Sequence, residues 1–410
     1  MSAPTFGMQF ERSTDGTTTV LDPDFSKILV IETSEDASAS EFPLDTPVAI
    51  DSGDSAALEA LGTGLLYDAI TGINDQLTSL NSSADVTVVR VAEGADTLET
   101  CSNIVNITDA LDEIPPAVNR TPRIVLAGRT AWRADEDTAN PVITSLESNL
   151  GNILAIAPVD VDDTTAALAI DAREEMSSER VMPIGIAGKI YKGTELVERP
   201  LSPMVAGLFA RVDNENSGKP FNPIANRFLY GLSGLSRNVK FSLLNGATEG
   251  QQMLASNISI AVKGETGVDG SVSDGGYVFI GTDNAQTSGL FEQIHQVRGM
   301  DFLTVKMMQI TQQYLGKAIT KSMIEAWIKS IAFMLRDHKA AEDIIGYTKM
   351  SDMFKAAENS AEQISLGTLK LDIGIEPCPV FKRADHEIRR YSSALDGLVE
   401  DVIASLSTSS

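Results

Sequence analysis

Asp160, Asp162 and Asp163 stand close enough in sequence to offer a divalent cation several hard oxygen ligands. The pattern stops short of a calcium loop, because neither the glycine at the sixth loop position nor the closing glutamate follows. Asp163 also suits the N-cap of a helix, where a short carboxylate accepts from free backbone N–H groups. The three histidines, His295, His338 and His386, are scattered and make no HExxH or HxxxH pair for zinc. His295 and His338 fall on expected helices beside charged neighbours, the ordinary setting of surface histidines. Neither common phosphate cradle, GxxxxGKS/T or GxGxxG opening a helix, occurs. Gly231–Ser236 reads GLSGLS, which lacks the GxSxG spacing of a hydrolase elbow. Cys101 and Cys378 lie far apart, outside any CxxC, and are expected as reduced thiols. No catalytic, cofactor-binding or metal site is assigned, and a structural role is expected in place of an enzymatic one.

Charge narrows the partners. The formal net charge of −25 argues against nucleic acid, whose phosphates need Lys and Arg clusters, and against anionic membranes. Residues 1–60 hold twelve acidic side chains against Arg12 and Lys27, while residues 300–349 hold seven Lys/Arg against five Asp/Glu. Opposed patches of that kind can set the register between subunits; a solvated acidic surface is the plainer reading. No stretch approaches the roughly 20 consecutive apolar residues of a membrane span. The start, MSAPTFGMQFERSTDG, has neither the basic end nor the apolar core of a secretion signal, so assembly in the cytoplasm is expected.

At 410 residues with 43% hydrophobic side chains, the chain has room for roughly two to three domains. Lys27–Thr33 and Val86–Val91 are Val/Ile-rich and bounded by turn residues, which predicts buried strands. Between them Ser55–Ile73 has helical apolar spacing, weakened by Gly62, Gly64 and Gly72. The alternation repeats from Thr97 to Pro200. Helices are expected at Ile104–Ile114, Pro141–Leu150 and Asp163–Met176, and strands at Arg123–Ala127, Ile153–Ala157 and Val181–Ile186. Such alternation predicts an α/β layer with a mostly parallel sheet. Residues 200–285 are poorly periodic, with strands expected near Val239–Leu244 and Tyr277–Ile280 and a mobile loop at Lys263–Gly276. A helix follows over Phe291–Leu315, stopped by Gly316. The next opens at Ser322 with Glu325 completing a capping box, and Ile324, Trp327, Ile328, Ile331 and Leu335 make its apolar stripe. A weaker helix near Met353–Ala361 and a strand over Thr368–Pro377 come after it. Thr17, Thr18, Thr19, Val20 and Leu21 form a strand-prone exposed arm with no nearby partner. The tail from Arg383 onward reads as a second arm.

Several stretches, in order, resemble the tail sheath family of contractile-tailed phages, R-type tailocins and type VI secretion-like machines. GMQFERSTDGTTTV and KILVIETSEDASASEFPLDTPVAI are similar to that family's arm and first core strand, with the FPLDTPV turn at Phe42–Val48. VTVVRVAEG (Val86–Gly94) and TPRIVLAGR (Thr121–Arg129) follow. The most specific stretch is Ser202–Ser236, where a small-residue helix leads to Arg211 and Asp213, then Gly218, Pro223, Asn226 and Gly231. Ala318–Gly346 and Leu369–Arg383 resemble the helix and strand that precede the C-terminal arm. After the long loop, Phe279–Asp283 keeps the family's glycine (Gly281) but lacks its arginine.

The resemblance implies an α/β subunit with an α+β inner domain facing a tail tube, residues 21–92 plus 286–385, and an inserted α/β outer domain, 93–285. It implies an N-terminal arm, 1–20, and a C-terminal arm, 386–410, that donate strands to neighbouring copies. The expected partners are the chain itself in stacked hexameric rings, the tail tube protein, and baseplate and tail terminator proteins. No nucleic acid, membrane or cofactor is expected, and the location is the virion tail. Lys382, Arg383, Arg389 and Arg390 are the tube-facing candidates. Another virion structural protein, and more remotely an α/β hydrolase-like enzyme, are the alternatives.

Overall fold

In the computed structural model, which describes residues 21–135 and 138–408, the strand Ile28–Thr33 (β1) is buried along its whole length. A strand covered on both faces belongs in the middle of a sheet that carries helices on either side. The next elements are β2 (Pro47–Asp51), α1 (Ser55–Ala60), α2 (Leu65–Leu77), β3 (Asp85–Val91), α3 (Thr97–Thr108) and α4 (Ile114–Val118). They are followed by β4 (Ile124–Ala127), α5 (Pro141–Asn149), β5 (Ala157–Asp160), α6 (Ala166–Glu174) and β6 (Val181–Ile184). A hairpin of β7 (Gly188–Lys192) and β8 (Glu195–Arg199) precedes α7 (Ser202–Glu215). Then come β9 (Arg227–Leu229), β10 (Gly234–Leu235), α8 (Glu249–Ala255), β11 (Ile260–Lys263) and β12 (Tyr277–Ile280). The remainder is α9 (Ile294–Gln312), α10 (Lys321–Ala340), β13 (Ile344–Tyr347), α11 (Ala361–Ser365), β14 (Ile375–Pro377) and α12 (Ala394–Thr408).

β1 lies between β3 and β4, parallel to both, and β2 pairs antiparallel with β3. A bridge from Ile124 to Ile156 leads on to β5, which pairs parallel with β6, and a bridge from Ile184 to Ser259 leads to β11. β12 and β9 complete the run antiparallel. Three sheets, β2-β3-β1-β4, β5-β6 and β11-β12-β9, therefore follow one another, joined by these single bridges. The chain steps from β1 out to β3 and then back across to β4. With right-handed crossovers this reversal puts α2 and α3 on opposite faces, and α2 packs on α7 while α3 packs on α5.

The described residues up to Cys378 form one compact unit, and those from Pro379 form a second. The first unit has two cores. One is built on the sheet, so that β1 and β3 share it with β4, β5, β6 and α7. The other gathers Phe25, Phe221, Phe302, Ile310, Ile331 and Leu335 around the α9–α10 pair. Ile294 and Val297 at the start of α9 belong to the first core and Phe302 to the second, so this one helix is pinned in both.

Several expectations are corrected. α3 begins at Thr97, capped by Asp96, and has turned off by Asp109, well before Ile114. The strand expected at Ile153–Ala157 starts only at Ala157, because Leu154 takes a left-handed conformation after a 3₁₀ turn. Val239–Leu244 is irregular; β11 supplies the partner of β12 instead. Thr165, not Asp163, caps α6, and Thr320, not Ser322, caps α10. Met353–Ala361 holds a 3₁₀ turn and irregular chain in place of a helix, and only Ile375–Pro377 of the predicted last strand pairs. The strand-prone Thr17–Val20 lies outside the described residues, and Leu21 is exposed and outside any strand. The C-terminal arm carries a 15-residue helix that its composition did not suggest.

The α2–α7 crossing depends on a missing side chain. A Cβ at Gly207 would lie 2.6 Å from the Ile73 carbonyl oxygen, a backbone atom that cannot swing away. Alanine in a helix interior ordinarily gains up to about 1 kcal/mol over glycine. Here overpacking of about 1–3 kcal/mol opposes it. Gly207→Ala is expected to lower the denaturant midpoint, and an unchanged or raised midpoint would show that the two helices separate freely.

Candidate functional site

The sheath-like segment Ser202–Ser236 begins with a borrowed cap. Leu201, at the N-cap of α7, has no side-chain cap of its own. Asp160 at the end of β5 takes that role, its Oδ1 accepting from the N–H of Leu201 (2.8 Å) and Ser202 (3.2 Å) and its Oδ2 from the Ser202 hydroxyl. Burial pushes the Asp160 carboxyl up to about 6, against the pull of those donors. Asp162 and Asp163 are likewise engaged by backbone N–H groups, of Thr164 (2.8 Å) and Ala187 (3.2 Å). The three aspartates of the calcium-like cluster thus serve the backbone. Among the described residues no group of three or more His, Cys, Asp or Glu could hold a metal ion.

At the other end of α7, Arg211 and Asp213 point into different junctions. The Arg211 guanidinium donates to the Phe228 carbonyl at 2.6 Å and lies 4.6 Å from the Tyr230 ring centre, which ties α7 to β9. Asp213 is fully buried and receives both arms of Arg298, at 3.0 and 2.5 Å. Arg298, 1% exposed, also donates to the Phe25 carbonyl at 3.0 Å and lies 4.8 Å from the Phe209 ring centre. Burial raises the Asp213 carboxyl and Arg298 pulls it back. One guanidinium therefore joins the entry to β1, the last turns of α7 and the first turns of α9.

The remaining motif residues turn the chain. Gly218 closes α7 at φ +80°, its N–H donating to the Asp213 carbonyl at 2.7 Å. Pro223 lies half-buried in the irregular run that follows. Asn226, at φ +57°, donates its N–H to the Phe279 carbonyl at 2.8 Å. Gly231 has φ +79°, and a Cβ there would run into the Asp75 carboxylate. Beside it, Gln76 of α2 holds both backbone groups of Tyr230, at 2.8 and 3.0 Å. The six residues thus form a packing joint linking α2, α7, β9, β12 and α9, with no converging reactive groups. Gly281, kept from the family signature, has φ +148°, and a Cβ there would run into Ser259.

His295 and His338, expected at the surface, are buried at 2% and 4% exposure. His295 Nε2 lies 3.0 Å from the Cys378 carbonyl oxygen. His338 sits in a charged chain: Nδ1 is 2.7 Å from Asp343 Oδ2 and Nε2 is 3.1 Å from the Lys306 ammonium. An ammonium can only donate, so this geometry calls for the tautomer with its proton on Nδ1, facing Asp343. Lys306 reaches on to Asp22 at 2.5 Å, and Lys219 to Asp343 at 3.3 Å. Asp301 on the same helix pairs with Arg180 at 2.5 and 3.0 Å. A signal for this network existed in the sequence: Arg298, Asp301 and Lys306 recur at helical spacing on the same stripe as Ile294, Val297 and Phe302. Charges on an apolar stripe must be paired inside.

A cavity of about 390 Å³ opens at the C-terminal ends of β1 and β4, the position where open α/β sheets hold ligands. Its charged lining is already paired. Glu32 meets Arg129 at 3.3 Å, and Asp68 meets Arg199 at 2.6 Å and Lys192 at 3.1 Å. The tube-facing candidates Lys382, Arg383, Arg389 and Arg390 are exposed in the second unit, on the irregular stretch before α12. Arg383 pairs with Asp385 at 2.7 Å and Arg389 with Glu387 at 3.7 Å.

This fold is shared with solved contractile-sheath chains. A chain of an extracellular contractile injection system, the PVC sheath complex in its contracted state, matches with a TM-score of 0.68 at 13% identity. The match covers 96% of this chain and 100% of that one. A chain of the anti-feeding prophage baseplate matches with a TM-score of 0.64 at 14% identity, over 95% and 99% of the two chains. In sequence, the chain is 24% identical over 416 residues to the tail sheath protein of Escherichia phage P2, covering 97% of this chain and 98% of that protein. It is 26% identical over 288 residues to the major tail sheath protein of Serratia phage KSP20, covering 63% and 66%. No protein-family model matches the chain. In sequence and in fold the chain is similar, over nearly its whole length, to proteins named as contractile tail sheath subunits.

Two measurements check the joint. Arg298→Met and Asp213→Leu alone are each expected to cost about 3–5 kcal/mol, since each strands a buried charge. The double variant should lose clearly less than the two together, and additive losses in urea titrations would show the pair is uncoupled. For Asp160, a folded-state value of about 6 against an ordinary 3.8 means the protein favours the protonated carboxyl. That stability is complete below about pH 4 and fades as pH rises through 6, by roughly 3 kcal/mol. Asp160→Asn should remove this slope, and parallel pH profiles for the two proteins would contradict it.

Proposed function

We propose that the chain is the structural subunit of a contractile tail sheath, which polymerises as stacked hexameric rings around a tail tube and contracts to drive it through a target envelope. The observation that carries this is the whole-length, in-order similarity to a phage tail sheath protein, joined to the fold of contracted-sheath chains. The packing joint supports it further. Buried pairs at Arg298–Asp213 and Arg180–Asp301 cross-brace α7, α9 and the sheet, as a subunit that moves as one body requires.

In this reading residues 21–92 and 286–385 face the tube and 93–285 lie outside, a division by radius in the assembly and not by core. The arms, 1–20 and 386–410, tether neighbouring copies while the bodies rotate. No nucleotide is needed: the extended lattice is metastable, and its release at the baseplate supplies the work. Lys382, Arg383, Arg389 and Arg390 contact an acidic tube wall. The partners are further copies of the chain, the tube, the baseplate and a tail terminator, in a virion tail assembled in the host cytoplasm.

Negative-stain electron microscopy of the purified chain, alone and with tail tubes, is expected to show hollow striated cylinders. A chain that stays dispersed under both conditions would refute the proposal. Deleting residues 2–20 should leave a folded monomer that no longer polymerises; ordered tubes from that truncation would count against the tether role. Arg389→Glu with Arg390→Glu should weaken loading onto tubes without changing the melting temperature, and unaltered loading would remove these residues from the tube contact.

A further inference from the structure

The cavity of about 390 Å³ at the ends of β1 and β4 lies where the chain changes direction across the sheet. From β1 the chain goes out to β3 on one side, and from β4 it goes on to β5 on the other. The connections after these two neighbouring strands therefore part, which leaves a crevice between them. α2, the start of α7 and the β7–β8 hairpin close it with Leu65, Ala69, Met204 and Ile190, and Trp132 lies in the loop after β4. Small-molecule sites run from roughly 300 to 1,000 Å³, are mostly apolar and carry a few polar groups. This cavity has that size and that lining.

The pairing of its carboxylates is one-sided. Glu32 and Asp68 both line the cavity and are 7% and 8% exposed. The Thr33 N–H at 2.8 Å, the Thr33 hydroxyl at 3.3 Å and Arg129 at 3.3 Å all meet Glu32 at Oε1. Lys192 at 3.1 Å and Arg199 at 2.6 Å both meet Asp68 at Oδ2. No hydrogen bond from the described residues reaches Glu32 Oε2 or Asp68 Oδ1. Gly128 makes room for Oε2, since a Cβ there would run into it. A buried acceptor without a donor is costly, and a guest N–H or O–H supplies what the chain does not. Charge sets the class of guest. Arg129 and Arg199 already balance the two carboxylates, so a guest with net charge would enter an apolar space uncompensated. We propose that the cavity binds an uncharged, ring-sized organic molecule, its N–H or O–H donors toward Glu32 Oε2 and Asp68 Oδ1 and its apolar body against Trp132 and Met204. The site stands on the fold of one chain and is independent of the sheath reading.

The test is titration calorimetry of the full-length chain with resorcinol, a ring with two hydroxyl donors, against 1,3-dimethoxybenzene, the same ring with none. Resorcinol is expected to give saturable heat with a Kd below about 5 mM and to change the fluorescence of Trp132. Dimethoxybenzene should bind about tenfold more weakly or worse, and benzoate not at all. Glu32→Gln should weaken resorcinol about tenfold. Ala69→Leu, which fills the cavity from α2, should abolish the heat while the melting temperature holds or rises. Trp132→Phe should keep the heat and lose the fluorescence change, since Trp327 lies in the other core. Equal binding of the two rings overturns the proposal. So does resorcinol without saturable heat up to about 50 mM, or heat that survives Ala69→Leu undiminished. Should Ala69→Leu fail to fold, the comparison of the two rings on the native chain still decides. Cylinder formation enters none of these outcomes, so the sheath reading stands or falls separately.

Discussion

A guanidinium with 1% exposure has to be surrounded by acceptors, and Arg298 finds them on two separate stretches of chain: the Asp213 carboxylate at the end of α7 and the Phe25 carbonyl ahead of β1. Inside a medium of low dielectric an unpaired charge is far costlier than a missing apolar neighbour. These stretches can therefore come together in one register only. That constraint also explains the turn chemistry downstream. α7 runs two residues beyond Asp213 to Glu215, and Gly218 then returns its N–H to the Asp213 carbonyl. The chain then passes through Asn226 and Gly231, both in left-handed conformations, and is held against α2 by Gln76.

α9 carries this logic further than any other element. Its first turns lie in the core of the sheet and its middle in the core around Phe302, and between them Arg298, Asp301 and Lys306 each reach a partner distant in sequence. Three buried charges on one helix make it a strut between the two cores. In the contracting lattice proposed above, such a strut would keep each subunit one body while its links to neighbours change. The cavity at the strand ends gives the contrasting case. Its place in the sheet is one where α/β enzymes work, yet Glu32, Asp68, Arg129 and Arg199 neutralise one another there.

The central strands were legible because their burial is recorded in composition: Ile28–Thr33 and Asp85–Val91 are rich in Val, Ile and Leu, and their expected limits held within a residue. Helices with strong stripes, α9 and α10, were equally legible. Caps were not. Asp163 accepts from the Ala187 N–H while Thr165 caps α6, and α10 starts at Lys321 with the Thr320 side chain accepting from the Met323 N–H. The short strands β7, β8, β9 and β11 left no periodic trace, since so few residues on a pleated surface give alternation too little length. The histidines were misplaced because charged sequence neighbours say nothing of what lies across a helix pair.

Sequence by itself carried the likeness of this protein to contractile sheath subunits. The order of its arm, core strand, Arg211–Asp213 helix, glycine turns and closing helix pair is a property of the chain and needs no coordinates. It also determined that the charge is divided, acidic at the start and basic around residues 300–349. What only the tertiary structure decided is which charges are spent inside. Arg211 and Arg298 look alike in sequence, yet one braces β9 through a carbonyl and the other neutralises Asp213, 85 residues away. Desolvation acts on neighbours in space, and the neighbours that pair Arg298, Lys306 and Asp160 come from segments that only the folded sheet brings together.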